Sequence, residues 1–251
     1  MTGQREQETG ARRYRHAVSL GWFCGTAEEL DRIGCREASG PFDWLLTCSL
    51  EGLAGILQRR EAYFPEELRP YKENPAYFYD PVMKISYFHD FTAERPLAEQ
   101  THAVREKYAR RWERFYRTIC EPTLFVRYIY DKKELQYLDE HAGEVLAVLR
   151  QFCPGNDLIC LVNEDLPEEP RPAQLGGEEA AIPLYPVAKD ERDIVARQFL
   201  RKRPDLRRLL LRSVAIPPLR RWLNRLRSLR RRARKRLRKW QLARAKKTAA
   251  P

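Results

Sequence analysis

The sequence has 251 residues, of which 43% are hydrophobic and 33% charged, and its formal net charge is +12. This length accommodates one sizeable core, alone or with an appendage. No apolar run approaches the ~18 residues of a membrane-spanning helix, and the polar N-terminus lacks the apolar segment of a signal peptide. These features argue against an integral membrane protein, and we expect a cytoplasmic one.

The positive charge is concentrated at the C-terminus. Residues 201–251 contain 21 lysines and arginines and a single acid, Asp205, for a net charge of +20. Residues 1–200 carry a net charge of −8. The tail therefore has to be interpreted separately from the rest of the chain.

The cysteines and glycines argue against bound metals and nucleotide cofactors. The six cysteines lack a CxxC pair or any other zinc-ligand spacing, and free thiols are more common than disulfides in a cytoplasmic chain. The GWFCG sequence at Gly21–Gly25 matches neither the GxGxxG nor the GxxxxGK[ST] pattern. We predict no cofactor and no metal ligand.

The first predicted elements surround Cys24. An apolar run at Ala17–Leu20 predicts a buried strand, which a glycine turn follows. Thr26 and Glu29 have the spacing of a capping box, which predicts a helix from about Thr26 to a C-cap at Gly34. Cys24 would then lie at a strand-to-helix turn, where the positive end of the helix can lower the pKa of a thiol.

The remaining elements alternate between helix and strand. In chain order, the patterns predict a helix capped by Ser49, a loop at 61–81, a strand at Val82–Phe88, a helix at Leu97–Cys120, a strand at Thr123–Tyr130, a helix at Glu134–Phe152, a strand at Asp157–Val162, a loop or linker at 166–190 and a helix at Asp190–Leu211. The alternation predicts a three-layer α/β fold with a largely parallel sheet and flanking helices. This domain would span 16–212, after a disordered segment at 1–15 and before a basic helical tail at 213–251.

Polar residues follow the predicted strands at their carboxyl ends, where open parallel sheets bind ligands. Cys24, His89, Arg127 and the run Asn163–Asp165 occupy such positions. A thiol nucleophile needs a base within hydrogen-bond reach and a third group that orients the base. We therefore predict Cys24 as the nucleophile and His89 as the base.

The orienting group has three candidates. Asp43 is preferred over Asp90, because adjacent residues on a strand point to opposite faces and Asp90 is next to His89. Asn163 is the third candidate, and Asp43 could instead cap its own turn. Arg127 would either bind an anionic substrate or pair structurally with Asp43 or Glu164. The complete predicted substrate-binding set is Arg127, Trp44, Asp90 and Asn163.

Four short motifs occur in order along the chain. They are SLGxxC ending at Cys24, PFDW at Pro41–Trp44, FHDF at Phe88–Phe91 and LFVR at Leu124–Arg127. Together they resemble an uncharacterised bacterial family labelled papain-like cysteine peptidase, over roughly residues 18–165. The resemblance implies a cysteine peptidase or a related hydrolase.

Two features differ from papain itself, in which the cysteine begins a long helix and the histidine lies much later, on an antiparallel barrel. Here only 65 residues separate Cys24 from His89, and the alternating pattern predicts a parallel sheet. A cysteine hydrolase with a strand-turn-helix nucleophile fits better. The alternative is a non-peptidase protein of envelope polysaccharide assembly that binds an anionic sugar or nucleotide or transfers a group from it.

The sequence of the tail predicts a basic amphipathic helix, which begins after Pro217–Pro218 interrupt the preceding helix. Its apolar residues recur at spacings of three, four or seven, with Arg230 interrupting the stripe: Leu219, Leu223, Leu226, Ala233, Leu237 and Trp240. Such a helix is typical of a peripheral binder of anionic membrane surfaces. Nucleic acid would attract the same charge without using the apolar stripe and is the less favoured partner. A solvated or partner-bound tail is the third alternative.

Overall fold

The computed structural model describes residues 13–47, 49–164, 166, 174–176, 180–188 and 198–248. Within these ranges the strands are β1 (His16–Ser19), β2 (Leu45–Thr47), β3 (Arg69–Pro70), β4 (Phe78–Asp80), β5 (Ile85–Tyr87), β6 (Thr123–Ile129), β7 (Asp157–Asn163), β8 (Gln174–Leu175) and β9 (Ile182–Val187). The helices are α1 (Cys24–Arg32), α2 (Leu50–Arg59), α3 (Leu97–Ile119), α4 (Lys132–Arg150), α5 (Phe199–Lys202), α6 (Pro204–Ser213) and α7 (Pro218–Thr248).

The central sheet has the strand order β1-β6-β7-β9-β8. Its first four strands are parallel, and β8 pairs antiparallel with β9 at one edge. A second sheet, in the order β2-β5-β4-β3, is wholly antiparallel. The fold is therefore mixed α/β with a mostly parallel central sheet flanked by helices, as the sequence predicts.

Side chains of β6 alternate between two hydrophobic cores, because successive residues of a strand point to opposite faces. Phe125 and Ile129 join a core built with α2, α3, α4 and the second sheet. Leu124 and Tyr128 join the core on the other face, built with α1, α5 and α6. The three predicted layers are the two sets of helices and the sheet between them.

Several predicted elements are confirmed with small shifts. Ser49 caps α2, since its Oγ accepts a hydrogen bond from Gly52 N at 3.0 Å. α1 ends at the predicted place, with Gly34 in the left-handed conformation directly after the C-cap at Ile33. The helices α3 and α4 and the strands β6 and β7 lie within two residues of their predicted ends.

The predicted start of α1 is wrong by two residues. α1 begins at Cys24, and its N-cap, Phe23, is extended and makes no side-chain cap hydrogen bond. Thr26 is fully buried in the first turn, and among the described residues its hydroxyl has no hydrogen-bond partner. Its side chain packs into the interior and leaves the helix uncapped.

Two stretches predicted as loops contain strands. The aromatic stretch 61–81 includes β3 and β4, and the segment 166–190 includes β8 and β9. Pro183 and Pro186 in β9 argue against a central strand from the sequence alone. Of the described strands, β8 covers only Ile182 and Pro183 of β9, so Pro186 lies at an edge where proline is tolerated, whereas Pro183 is paired with Gln174 of β8. The predicted strand at Val82–Phe88 is shorter, and as β5 it belongs to the antiparallel sheet.

Tyr14, near the start of the described residues, forms an isolated parallel β-bridge with Val214. Most of the segment predicted as disordered lies outside the described residues, but Tyr14 within it is buried, and its hydroxyl donates to Asp157 at 2.6 Å. The beginning of the predicted helix Asp190–Leu211 and residue Asp165 also lie outside the described residues.

α6 and α7 are separate helices, as the prolines predict. None of the helices within the described ranges is long and apolar enough to cross a membrane.

Candidate active site

The turn between β1 and α1 is strained. Gly21 and Trp22 both have left-handed backbone conformations, with φ of 79° and 67°. Positive φ is ordinary for glycine but is an outlier for a bulky residue, and such strain concentrates at functional sites. Trp22 stacks on Tyr130, with 4.1 Å between the ring centroids. The chain passes through this turn two residues before it reaches Cys24.

A buried arginine fastens the same turn to β2. Arg127 is 0% exposed, and its Nε donates to Glu134 Oε1 at 2.6 Å. Its Nη1 donates to Leu20 O at 2.9 Å and to Thr47 Oγ1 at 2.6 Å. Thr47 Oγ1 also accepts a hydrogen bond from Trp22 N at 2.9 Å. These contacts tie the β1–α1 turn, β2 and β6 together in one buried network.

The same contacts favour the structural role for Arg127 over substrate binding. A fully buried guanidinium presents no surface to an anionic substrate. Its carboxylate partner is Glu134, on α4, and not Asp43 or Glu164, the two partners considered from the sequence. Burial raises the pKa of the Glu134 carboxyl, and the neighbouring Arg127 charge acts to lower it.

Cys24 is the first residue of α1 and is partly exposed. The first turn of α1 contains no acidic residue, and its N-cap residue, Phe23, makes no side-chain cap hydrogen bond. A Cβ added at Gly25 would lie 2.1 Å from the Phe23 ring, so the close packing of that ring needs glycine here. A thiolate and a developing oxyanion would both be stabilised at such a helix start.

Asp43 lies in a buried ion pair. Its Oδ2 accepts hydrogen bonds from Arg36 Nε at 2.8 Å, from Arg36 Nη2 at 2.6 Å and from Gly40 N at 2.8 Å. Burial raises the pKa of the Asp43 carboxyl, whereas the Arg36 charge and the Gly40 hydrogen bond act to lower it. These contacts hold the PFDW turn closed. The orienting role for Asp43 stays a prediction.

Trp44 lies between a cation and the candidate base. The Arg36 guanidinium lies over the Trp44 ring at 5.3 Å from its centroid. The His89 ring meets the same indole edge-on, with 6.3 Å between the centroids. His89 is exposed and follows β5, so it belongs to the antiparallel sheet and not to the carboxyl edge of the parallel sheet where it was predicted. Trp44 and His89 are thus two predicted site residues that the structure brings together.

One short strand, β2, connects the regions of Cys24 and His89. At its end, Thr47 N donates to Trp22 O at 3.0 Å, in addition to the bond between Trp22 N and the Thr47 hydroxyl. At its beginning, Leu45 pairs with Tyr87 of β5. The turn before Cys24 and the strand before His89 are therefore both anchored to β2.

The two remaining predicted substrate contacts belong to different parts of the fold, because Asp90 follows a strand of the antiparallel sheet and Asn163 ends a strand of the parallel one. The Asp90 carboxylate is buried, and it accepts hydrogen bonds from the ammonium of Lys107 and from the hydroxyl of Tyr108 on α3. Asn163 ends β7 at the carboxyl edge of the parallel sheet and is 5% exposed. Its Oδ1 has no hydrogen-bond partner among the described residues, which is unusual for a buried polar atom.

Sequence reasoning missed the residues that hold the site in place. Thr47 ends the three-residue strand β2 and Arg36 lies in a loop, and neither stretch carries a recognisable sequence signal. Glu134 follows its helix cap, Asp131, by three residues and looks like an ordinary acid in the first turn of a helix. Only the pairing of β1 with β6 and the packing of α4 on the sheet reveal that it meets Arg127.

Two other described thiols, Cys35 and Cys160, are buried, unlike Cys24. Burial raises the pKa of Cys35 to about 11. Burial also raises the pKa of Cys160, on β7, well above the ordinary range. Cys120 is exposed and Cys153 partly so. Among the residues that the structure describes, no group of three or more His, Cys, Asp or Glu residues is suited to hold a metal ion.

A match to a family model identifies the family. The family model described as "Putative papain-like cysteine peptidase" matches residues 15–162, more than half of the chain. The chain belongs to this family. The part of the chain that matches the papain-like cysteine peptidase model contains Cys24, Asp43, His89 and Arg127, whereas Asn163 and α7 lie beyond it.

A viral protein shows a more distant similarity. An uncharacterised protein of Acanthamoeba polyphaga mimivirus is 23% identical over 173 residues, covering 58% of this chain and 77% of the viral protein. No solved structure matches the chain.

Proposed function

We propose that the protein is a cysteine-dependent hydrolase that cleaves amide or ester bonds of acyl substrates, with Cys24 as the nucleophile. The observation that carries this proposal is the location of the thiol. It is partly exposed at the first residue of a helix, and it follows a strained turn that buried hydrogen bonds hold in place. A nucleophile on a strained strand-to-helix turn is the arrangement used by α/β-hydrolases. Membership in the papain-like cysteine peptidase family supports the same chemistry.

The reaction has two steps. The Cys24 thiolate attacks the acyl carbon, and the new C–S bond places negative charge on the carbonyl oxygen, which backbone NH groups at the start of α1 stabilise. The intermediate collapses, and the leaving amine or alcohol takes a proton from His89. A water molecule then attacks the thioester, His89 accepts its proton, and the carboxylic acid leaves as the thiolate is restored.

The surrounding residues have supporting roles in this proposal. Trp44 packs on His89 and limits the orientations of the imidazole. Asp43 holds the turn that carries Trp44 through its pair with Arg36. The buried Asn163 amide, whose Oδ1 lacks a described partner, is the best candidate to bind a polar group of the substrate.

The competing function is non-catalytic binding or group transfer on an anionic sugar or nucleotide. Arg127 was the residue expected to bind that ligand, and its complete burial against Glu134 weakens this alternative. A role in polysaccharide assembly would therefore need another cationic residue at the site.

Acyl transfer to Cys24 is the direct test. The full chain is incubated with a panel of p-nitrophenyl esters and with fluorogenic peptidyl amides, and any acylated cysteine is identified by peptide mass spectrometry. We expect acylation at Cys24 followed by turnover. Cys24→Ala should abolish both, and His89→Ala should slow the hydrolysis of the thioester.

Cys120→Ala is the matched control, because it removes an exposed thiol away from the proposed site and should change nothing. Acylation that falls equally on Cys120 and Cys153, or turnover that persists in Cys24→Ala, would contradict the proposal. In that case, titration with sugar phosphates and nucleotides would test the competing function.

A further inference from the structure

Helix α7 packs on the domain through its polar side. Asn224 and Ser228 are 4% and 0% exposed. Asn224 Nδ2 donates to Gly34 O at 3.3 Å, and Arg221 Nη2 donates to Val214 O at 3.0 Å. A Cβ added at Gly34 would lie 2.5 Å from the backbone oxygen of Arg221, so the glycine allows the close approach of α7.

Ion pairs reinforce the same side of α7. Arg220 pairs with Glu37 at 2.6 Å, and Arg231 pairs with Asp31 of α1. The side of an amphipathic helix that meets a protein core is normally its apolar side. Among the described side chains of α7, the two buried residues are an asparagine and a serine.

The apolar residues of α7 point to solvent. Leu219, Trp222 and Leu229 are 69%, 54% and 54% exposed. Further exposed large apolar residues of α7 are Leu223, Leu237 and Trp240. At 100° per residue these six residues lie within an arc of about 120°, on the side opposite Asn224 and Ser228. Large apolar side chains exposed along one side of a helix indicate an interaction site.

The charge of α7 identifies the partner. Residues 218–248 contain 15 lysines and arginines and no acidic residue. A second copy of the same helix would be repelled by this charge, and a nucleic acid would use the arginines but not the leucines and tryptophans. An anionic lipid surface matches both properties, because acyl chains accept the apolar stripe and headgroup phosphates accept the flanking arginines.

We propose that α7 binds the surface of an anionic lipid bilayer. In this arrangement the stripe Leu219, Trp222, Leu223, Leu229, Leu237 and Trp240 enters the headgroup region, and the polar side remains on the domain. The helix lies in the plane of the surface. The domain is thereby held against the bilayer through the docked contacts of Asn224 and Arg221.

Vesicle flotation with the full chain tests this proposal. Vesicles of phosphatidylcholine alone are compared with vesicles that also contain phosphatidylglycerol, at physiological ionic strength. The double substitution Trp222→Ser with Leu229→Ser removes two exposed apolar side chains of α7. Val82→Ser is the matched control, because Val82 is 79% exposed and lies outside α7.

We expect the wild-type protein to float with the anionic vesicles and not with the neutral ones. The double variant should bind the anionic vesicles about tenfold more weakly, because the stripe supplies much of the binding, and Val82→Ser should bind as the wild type does. All of these positions are exposed, so the melting temperature should not change.

Two results would overturn the proposal. One is equal flotation of the wild type and the double variant, because binding would then depend on charge alone. The other is tighter binding to duplex DNA than to anionic vesicles, with the DNA affinity retained in the double variant. That outcome would identify α7 as a nucleic-acid surface.

Discussion

Arg127 Nη1 lies 2.6 Å from Thr47 Oγ1, and the same hydroxyl oxygen accepts a hydrogen bond from the backbone NH of Trp22. One threonine thus links a buried ion pair to the strained turn that precedes Cys24. Thr47→Val should leave the guanidinium and the Trp22 NH without this acceptor. We expect a loss of about 1–3 kcal/mol of unfolding free energy, measured by urea denaturation, and a lower rate of Cys24 alkylation.

Thr101→Val is the control for that substitution. The Thr101 hydroxyl donates a hydrogen bond to Leu97 O within its own helix, so its removal should have little effect on either measurement. If Thr47→Val lowers stability but leaves Cys24 alkylation at the wild-type rate, the network does not position the thiol.

Removing one partner of the ion pair between Arg127 and Glu134 should lower the free energy of unfolding more than replacing both partners with apolar residues. Arg127→Met leaves a buried carboxylate unpaired and should cost about 3–5 kcal/mol. The double variant with Glu134→Leu should recover much of that loss, because the unpaired charge is gone. Urea denaturation of the wild type, both single variants and the double variant measures the coupling, and strictly additive losses would contradict a direct pair.

The cost of Arg127→Met should also depend on pH. Burial raises the pKa of Glu134 and the Arg127 charge lowers it, so the folded pKa of Glu134 is higher in the variant. When the pKa of a carboxyl is higher in the folded protein than in the unfolded chain, the protonated carboxyl is tolerated at low pH. The free energy of unfolding then falls as the pH rises through the folded-state pKa. The stability difference between the wild type and Arg127→Met should therefore be smaller near pH 4 than near neutrality, and the part left at pH 4 reflects the lost hydrogen bonds to Leu20 O and Thr47. A difference that is constant with pH would exclude Glu134 as the unpaired group.

Gly34→Ala should release α7 from the domain. Gly34 has a φ of 78°, and a Cβ there would lie 2.5 Å from Arg221 O. The left-handed conformation alone costs a non-glycine residue about 1–2 kcal/mol. Limited trypsin digestion should cleave within 218–248 faster in the variant. Gly55→Ala, in the interior of α2 with only the end of Arg59 nearby, is the control and should leave the cleavage rate unchanged.

Asp43→Asn distinguishes the structural from the orienting role of this residue. Loss of the charge opposite Arg36 should cost about 3 kcal/mol, because it leaves a buried guanidinium poorly paired. If Asp43 only holds its turn, the pH midpoint of Cys24 alkylation should stay at the wild-type value. A displaced midpoint would instead support the role predicted from the sequence, in which Asp43 orients His89.

Local patterns were enough to predict the strands β1, β6 and β7 of the central sheet and the helix α4, but not β8 and β9. The spans of β6, α4 and β7 follow from apolar runs and helical periodicity, which their burial enforces. Cys24 at the strand-to-helix turn follows from the run at 17–20 and the glycine after it. The capping-box prediction was wrong because spacing alone does not show that the Thr26 side chain is buried.

Long-range pairing could not be predicted from those patterns. The short strands β2 to β5 have three residues or fewer, so their sequences do not distinguish them from loops. His89 was consequently assigned to the parallel sheet. The sequence also could not predict that the apolar side of α7 is exposed. An amphipathic pattern defines two sides of a helix but does not show which of them packs against the domain.

The pH dependence of iodoacetamide alkylation, resolved for each cysteine by peptide mass spectrometry, tests the proposed nucleophile most directly. It is measured in the native protein, in His89→Ala and in His102→Ala, a control at an exposed histidine on α3. We predict that Cys24 reacts well below the free-thiol pKa of ~8.5 and loses this advantage only in His89→Ala. Cys35, with a pKa of about 11, and Cys160 should stay unreactive over the same range. If Cys24 reacts like Cys120 and Cys153, or is indifferent to His89→Ala, the site is not a thiolate–imidazole pair and the hydrolase proposal is wrong.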